Sequence, residues 1–190
     1  MSKLAIIPAR GGSKRIPKKN IKHFLGKPII AYTIENAINS KLFDEVMVST
    51  DDDDIAKIAI SYGAKVPFKR SEKNADDYAT TIDVITEVIS SYKNLGRKFE
   101  YASCIYPCTP LLTKEKLSES FALLKKKKLD CVFPIVRYGF PIQRAVRLSN
   151  KGLVEMFQPE HLITRSQDLE LSFHDAGQFY SFKVDNLKSK

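Results

Sequence analysis

Short apolar runs alternate with stretches of helical periodicity over the first two thirds of the chain, and that alternation restricts the fold more than any other feature. Leu4-Ala5-Ile6-Ile7-Pro8 is brief and continuously apolar, as a strand covered on both faces must be. Over residues 28–40 the apolar positions Ile29, Ile30, Ile34, Ala37 and Ile38 recur at helical spacing, and Pro28 suits a first helical turn. Residues 45–50 read as a second strand, 52–62 as a helix stopped by Gly63, 65–68 as an extended segment and 80–95 as a helix stopped by Gly96. Residues 101–106 form the next buried strand. Thr113 caps a helix with Leu117, Phe121 and Leu124 on its apolar face, and 129–136 returns as a strand. Strands spaced by helices of this length require crossover connections. The expected fold is therefore α/β, a mostly parallel sheet flanked by helices on both faces, with ligands at the carboxyl ends of the strands.

After Arg137 the rhythm changes. Residues 144–148 and 152–157 look like a hairpin around Asn150-Lys151-Gly152, and 178–184 looks like a return to the sheet. With no repeat or low-complexity linker in 190 residues, the expectation is one domain over 1–190, with a small excursion at 137–175.

Charge narrows the partners. Lys and Arg number 31 against 22 Asp and Glu, a net +9 that attracts an anion, either a nucleic acid or a polyphosphate nucleotide. Part of the excess is the run from Lys125 to Lys128, which reads as the solvated end of a helix. Three cysteines, an odd number, with no signal-like segment before the first strand, indicate a reducing, cytoplasmic setting. Cys104 and Cys108 are four apart, but Pro107 and Pro110 interrupt them and no nearby pair completes a zinc set, so both are expected as buried thiols. No apolar stretch approaches the roughly 20 residues that span a bilayer, so no membrane partner is expected.

The densest chemistry follows the first strand. Arg10-Gly11-Gly12-Ser13-Lys14-Arg15-Ile16-Pro17-Lys18-Lys19-Asn20 carries two glycines and five cations. Glycines let backbone N–H groups approach an anion, as in a nest, and the cations offset phosphate charge. The pattern is neither a Walker A loop nor the Gly-x-Gly-x-x-Gly dinucleotide fingerprint. Taken alone, glycines and lysines are equally a solvated turn; a place straight after the first strand favours a phosphate site. The acidic run Asp51 to Asp54 would repel a nucleic acid backbone, which sets nucleic acid aside as partner.

The block from Ile7-Pro8-Ala9-Arg10-Gly11-Gly12 through Lys18-Lys19-Asn20 resembles the signature of the CMP-sialic acid synthetase family of cytidylyltransferases. Phe24-Leu25-Gly26-Lys27-Pro28, Val48-Ser49-Thr50-Asp51-Asp52 and Arg70-Ser71-Glu72-Lys73-Asn74-Ala75-Asp76-Asp77 are similar to further blocks of that family, in order. Tyr138-Gly139-Phe140-Pro141-Ile142-Gln143-Arg144, Thr164-Arg165-Ser166-Gln167 and His174-Asp175-Ala176-Gly177 resemble its pseudaminic acid branch more than its N-acetylneuraminate branch.

The resemblance implies a Rossmann-like nucleotidyltransferase sheet and a reaction. The anomeric hydroxyl of a nine-carbon α-keto acid sugar attacks the α-phosphorus of CTP with Mg²⁺, giving a CMP-sugar and pyrophosphate. It implies Arg10, Gly11, Gly12, Ser13, Lys14 and Lys19 as phosphate contacts, with Arg10 and Lys19 stabilising transition-state charge, and Asn20 as a nucleotide contact. Arg70 and Thr81 align with cytidine-holding positions, although alone Arg70 is equally an exposed turn residue and Thr81 a helix cap. Tyr106 stands where the sialic acid enzymes have Gln, which points to another sugar. Gln143, Arg144, Arg165, Gln167 and Asp175 become contacts to that sugar. The excursion is also the family's dimer contact, so either Arg can instead bridge subunits of a homodimer. His174 is a structural histidine or an acid/base group, and no base is assigned. The family's C-terminal Asp-x-Asp metal pair has no counterpart before Lys190, since Asp185 is followed by Asn186. The metal ligands are thus unknown, and a sequence shorter than the natural chain that binds CTP but turns over poorly is expected.

Overall fold

The run of apolar residues that opens the chain becomes the middle of a sheet because both of its faces find cover. A computed structural model describes residues 2–187. In chain order, β1 (Lys3–Pro8) is followed by the short pair β2 (His23–Phe24) and β3 (Lys27–Pro28), then α1 (Ile29–Asn39), β4 (Glu45–Ser49) and α2 (Asp53–Ser61). Next come α3 (Thr81–Asn94), β5 (Tyr101–Ile105), α4 (Lys114–Lys126) and β6 (Cys131–Val132). The remaining strands are β7 (Ile135–Arg137), β8 (Val146–Leu148), β9 (Val154–Met156), β10 (Phe173–Asp175) and β11 (Phe179–Lys183).

The main sheet runs β4-β1-β5-β11-β6. β1 pairs parallel with β4, Leu4 to Pro8 facing Glu45 to Ser49, and parallel with β5, Ile6 facing Cys104. β11 enters antiparallel between β5 and β6. Alternate residues of β1 then serve two cores. Ala5 and Ile7 pack with Val46, Val48, Ile105 and Phe179 under α1, α2 and α4 through Ile30, Ile34, Ile55 and Leu117. Leu4 and Ile6 pack with Met47, Ala102, Cys104 and Phe182 under α3 through Ile85, Val88 and Tyr92.

Two compact units result: one holds the residues up to Phe133 and from Gly177 onward, the other is Pro134–Ala176. The second contains two two-stranded antiparallel sheets, β7 with β10 and β8 with β9.

Four expectations need correction. Residues 65–68 contribute only one bridge, Lys65 to Met47, because Pro67 has no N–H to extend a ladder. The strand expected over 129–136 is broken at Phe133-Pro134 for the same reason, β6 joining the main sheet and β7 the second unit. The cap of α3 is Thr80, not Thr81: its hydroxyl accepts from the Asp83 amide while Asp83 accepts from the Thr80 amide. Cys104 is fully buried as expected, but Cys108 is only half-buried.

Candidate functional site

The carboxyl ends of β1 and β5 and the first turn of α3 converge on one cavity of about 820 Å³ in the first unit. That size suits a small organic ligand. Its wall includes Arg10, Ser13, Lys14, Lys19 and Asn20 from the basic loop, with Arg70, Thr81 and Tyr106 facing them from other elements. Residues 60 and more positions apart in sequence are thus brought together.

The loop leaves β1 against the neighbouring strand, the Ala9 amide donating to the Ser49 carbonyl at 2.9 Å. Gly11 then passes so close to α2 that a Cβ there would lie 2.7 Å from Asp52 Oδ2 and 2.9 Å from Asp52 Cβ. Close approach, not a left-handed turn, makes glycine necessary at this position. The Gly11 amide donates to Asp51 Oδ1 at 3.0 Å. A Cβ on Gly12 would meet nothing within 4 Å. Asn20, buried, closes the loop: its Nδ2 donates to the Arg10 carbonyl at 2.9 Å and its Oδ1 accepts from the Cys108 thiol at 3.5 Å.

Arg70 is buried, with 7% of its surface exposed, so it is not a solvated turn residue. Its Nε donates to Ser49 Oγ at 3.0 Å and its Nη2 to the Ser49 carbonyl at 2.5 Å. Burial lowers its pKa, and Asp51 and Glu87 act in the opposite sense. An always-ionised fork held this way is a fixed positive donor on the cavity wall. Opposite it, Thr81 Oγ1 lies 3.1 Å from the Tyr106 hydroxyl, and Tyr106 stands edge-on to Tyr180 with ring centroids 5.8 Å apart.

The acidic side of the cavity was not foreseen from the sequence. Asp77 Oδ1 lies 2.8 Å from Arg10 Nη2, and Asp77 Oδ2 is paired with the Lys14 ammonium. The Lys14 contact, with Arg10 behind it, holds the Asp77 carboxyl below its usual range. Arg10 Nη1 donates to the Asp76 carbonyl. Lys19 has no ion pair among the described residues. Cys108, Asp76 and Asp77 line the cavity and were missed by sequence reasoning, as was Ser49, which lies behind Arg70 and holds it. Ser49 and Asp77 sit inside quoted blocks, but strand position and loop path, not residue type, decide what they meet.

Gln143, Arg144, Arg165, Gln167 and Asp175 all lie in the second unit. There Gln143 Nε2 donates to the Glu170 carbonyl at 3.0 Å, while its buried Oε1 has no partner among the described residues. Arg165 pairs with Asp168 at 2.6 Å. Arg144 is in a single 3-10 turn, Ile142–Arg144, and Gln167 in another, Ser166–Asp168. Asp175 pairs across to Ile135. His174 is exposed, its ring 4.9 Å from that of Tyr138 and its Nδ1 2.8 Å from the Asp175 carbonyl.

Among the described residues no group of three or more His, Cys, Asp or Glu side chains could hold a metal. No described helix is long and apolar enough to cross a membrane.

A family model described as cytidylyltransferase matches residues 4–184. The chain is 45% identical over 180 residues to a pseudaminic acid cytidylyltransferase of Campylobacter jejuni, covering 95% of this chain and 78% of that one. It is 41% identical over 185 residues to N-acylneuraminate cytidylyltransferase A of Danio rerio, covering 97% of this chain and 42% of the relative. Among solved structures, a CMP:2-keto-3-deoxy-manno-octonic acid synthetase complexed with CTP superposes with a TM-score of 0.72 at 19% identity, covering 98% of this chain and 76% of that one, a likeness of fold.

Proposed function

The chain belongs to the cytidylyltransferase family, and on that premise we propose that it transfers CMP from CTP to a nine-carbon α-keto acid sugar, pseudaminic acid, releasing pyrophosphate. The observation that supports this most is the meeting, around one cavity, of the basic glycine loop with the buried guanidinium of Arg70 and the Thr81 and Tyr106 hydroxyls. Polyphosphate chemistry requires the first and base recognition the second.

In this reading Arg10, Lys14 and Lys19 hold the triphosphate, assisted by Ser13 and Asn20 and by the Gly12 amide, while the Gly11 amide stays with Asp51 and shapes the loop. Arg10 and Lys19 stabilise the charge that builds on the α-phosphate and the leaving pyrophosphate, the main demand of such a transfer. Arg70 donates to the cytosine carbonyl and Thr81 reads the base edge, so a purine would leave buried donors unpaired. The acceptor hydroxyl attacks in line, and alignment replaces any covalent enzyme intermediate. Tyr106 in the first unit contacts the acceptor. In the second unit, Gln143, Arg144, Arg165, Gln167 and Asp175 have the chemistry to recognise a carboxylate and acylamino groups, and the same unit is the proposed homodimer contact.

Magnesium belongs to the reading as the ion that accompanies the nucleotide and neutralises phosphate charge. The described residues do not by themselves form its site, and no step above depends on one. A cytoplasmic location is part of the same proposal, supported by the Cys104 and Cys108 thiols.

N-acylneuraminate is the second acceptor to consider, because a relative acting under that name is 41% identical. Pyrophosphate release, followed with CTP, Mg²⁺ and each acid sugar in separate reactions, tests the proposal. The highest kcat/KM is expected with pseudaminic acid. A higher value with N-acetylneuraminate would reassign the acceptor, and absence of product with every sugar would overturn the proposed activity.

A further inference from the structure

The phosphate loop already has anions on it, and they come from the chain itself. Asp51 Oδ1 takes the Gly11 amide, Asp54 takes Lys18 at 3.0 Å, and Asp77 takes both Arg10 and Lys14. Only the last of these contacts engages two cations that line the cavity together. We infer that Asp77 is a built-in competitor for the anionic ligand of this loop, which a triphosphate must displace to reach Arg10 and Lys14. The inference rests on the nucleotide reading above and adds a selectivity device to it.

The surrounding segment is built to present one carboxylate and let it go. At its start the Ser71 amide and Asn74 Nδ2 both donate to Glu87, at 2.8 and 2.6 Å. At its end the capping box of Thr80 and Asp83 fixes the entry to α3. Between these anchors Asp76 Oδ1 accepts from the Tyr78 and Ala79 amides, folding the turn that carries Asp77. Tyr78 is 89% exposed, so the turn can swing without disturbing either core. Asp77 itself is about one-third exposed, its side chain at 37%, which leaves the pair open to exchange with solvent and ligand.

A carboxylate and a phosphate compete for the same N–H donors, so the apparent affinity is the intrinsic affinity reduced by the fraction of molecules with the pair open. The reduction applies to every anion, but one carrying several charges recovers more than it loses. Inorganic phosphate is turned away where a triphosphate still binds. Arg15 and Lys19, which line the cavity without an ion pair among the described residues, are loop cations left to make first contact.

Calorimetric titration of the full chain with CTP, tripolyphosphate and inorganic phosphate, at fixed Mg²⁺ and without acceptor sugar, tests this. Asp77→Asn should bind CTP and tripolyphosphate about three- to tenfold more tightly than the wild type, the scale of one or two exposed ion pairs. Asp54→Asn, which removes an equal charge from the partner of Lys18, should change either affinity by less than about twofold. Unchanged or weaker binding by Asp77→Asn, or an equal gain in Asp54→Asn, would overturn the inference while leaving the nucleotide site intact. A wild type that binds neither CTP nor tripolyphosphate would overturn the nucleotide reading and the inference with it.

Discussion

The two units differ in how they treat their apolar residues. In the first, Leu4, Ile6, Ile7, Ile30, Ile34, Met47 and Leu117 are fully buried, and the cavity is bordered by strand ends that these residues hold in place. In the second, Leu148, Val154, Leu162 and Ile163 are 73%, 68%, 65% and 91% exposed, and Leu169 is the buried apolar side chain. That unit is near the size, roughly 40 residues, below which a chain usually needs an outside partner to be stable. A site built on a covered sheet inherits its geometry from the core. A small unit with bare apolar strands depends on what it meets.

The largest expected effect breaks the chemistry of the first unit and leaves its packing alone. Arg10 and Lys19 lie on the cavity wall and contribute nothing to either apolar core. Replacing both by alanine should lower kcat/KM by at least about 10²-fold, the usual loss for a donor to developing charge, with an unchanged thermal melting temperature. Unaltered CTP affinity in that correctly folded variant would separate this loop from nucleotide binding.

The next effect runs the other way, against stability and away from the cavity. Glu45 begins β4, at the end of the sheet opposite the loop, and its side chain is 1% exposed. Burial alone would raise its pKa. The hydrogen bond from Tyr92 and the contacts of Arg97 and Lys65 outweigh burial and hold the carboxyl below its ordinary range. A carboxyl depressed in the folded state contributes stability that is present above its unfolded pKa and lost as pH falls through the folded one. Glu45→Gln should therefore flatten the fall of melting temperature below about pH 4.3, the ordinary Glu value. At neutral pH Glu45→Ala should cost about 1–3 kcal/mol, since it strands the buried Tyr92 hydroxyl. Thermal melts across pH check the first and denaturant unfolding the second, and CTP affinity should not move.

Local physics explains which parts of this arrangement the sequence discloses. The strand at Leu4 to Pro8 and the helices capped by Asp52, Thr80 and Thr113 follow from apolar spacing and side-chain oxygens at the right offset. Pro67 and Pro134 mark where ladders stop, although apolar composition alone carries the expected strands past them. The antiparallel entry of β11 between β5 and β6 depends on which edge is open, which no local pattern encodes. The same holds at the cavity. Gly11 and the basic loop are legible because their chemistry is concentrated in sequence, whereas Asp77 on Arg10 and Ser49 beneath Arg70 join residues 67 and 21 positions apart.

Ser49 gives a smaller and more discriminating effect. Its hydroxyl accepts from Arg70 Nε, and its carbonyl continues to accept from Nη2 in any substitution. Ser49→Ala therefore loosens the guanidinium without freeing it, and KM for CTP should rise about three- to tenfold with a lesser change in kcat, below the full loss of a hydrogen bond to a charged group because the carbonyl contact remains. Ser49→Thr keeps the hydroxyl on a strand that accepts β-branched residues and should restore KM. An equal loss in both variants would show that packing at the end of β4, and not the hold on Arg70, is what matters.

The smallest effect on nucleotide binding belongs to the second unit and tests whether its bare apolar residues have a partner in a second copy of the chain. Ile163 is 91% exposed and belongs to neither apolar core, so Ile163→Glu should change unfolding free energy by less than about 0.5 kcal/mol in a monomer. At a dimer contact the same charge would be desolvated without a counter-ion, a cost that separates subunits. Sedimentation equilibrium should find the wild type dimeric and Ile163→Glu shifted toward monomer, with CTP affinity within about twofold because the first unit keeps its own core. A wild type that sediments as a monomer, or a variant that stays dimeric, would remove the second copy as the cover for this surface and confine the contrast between the units to their own packing.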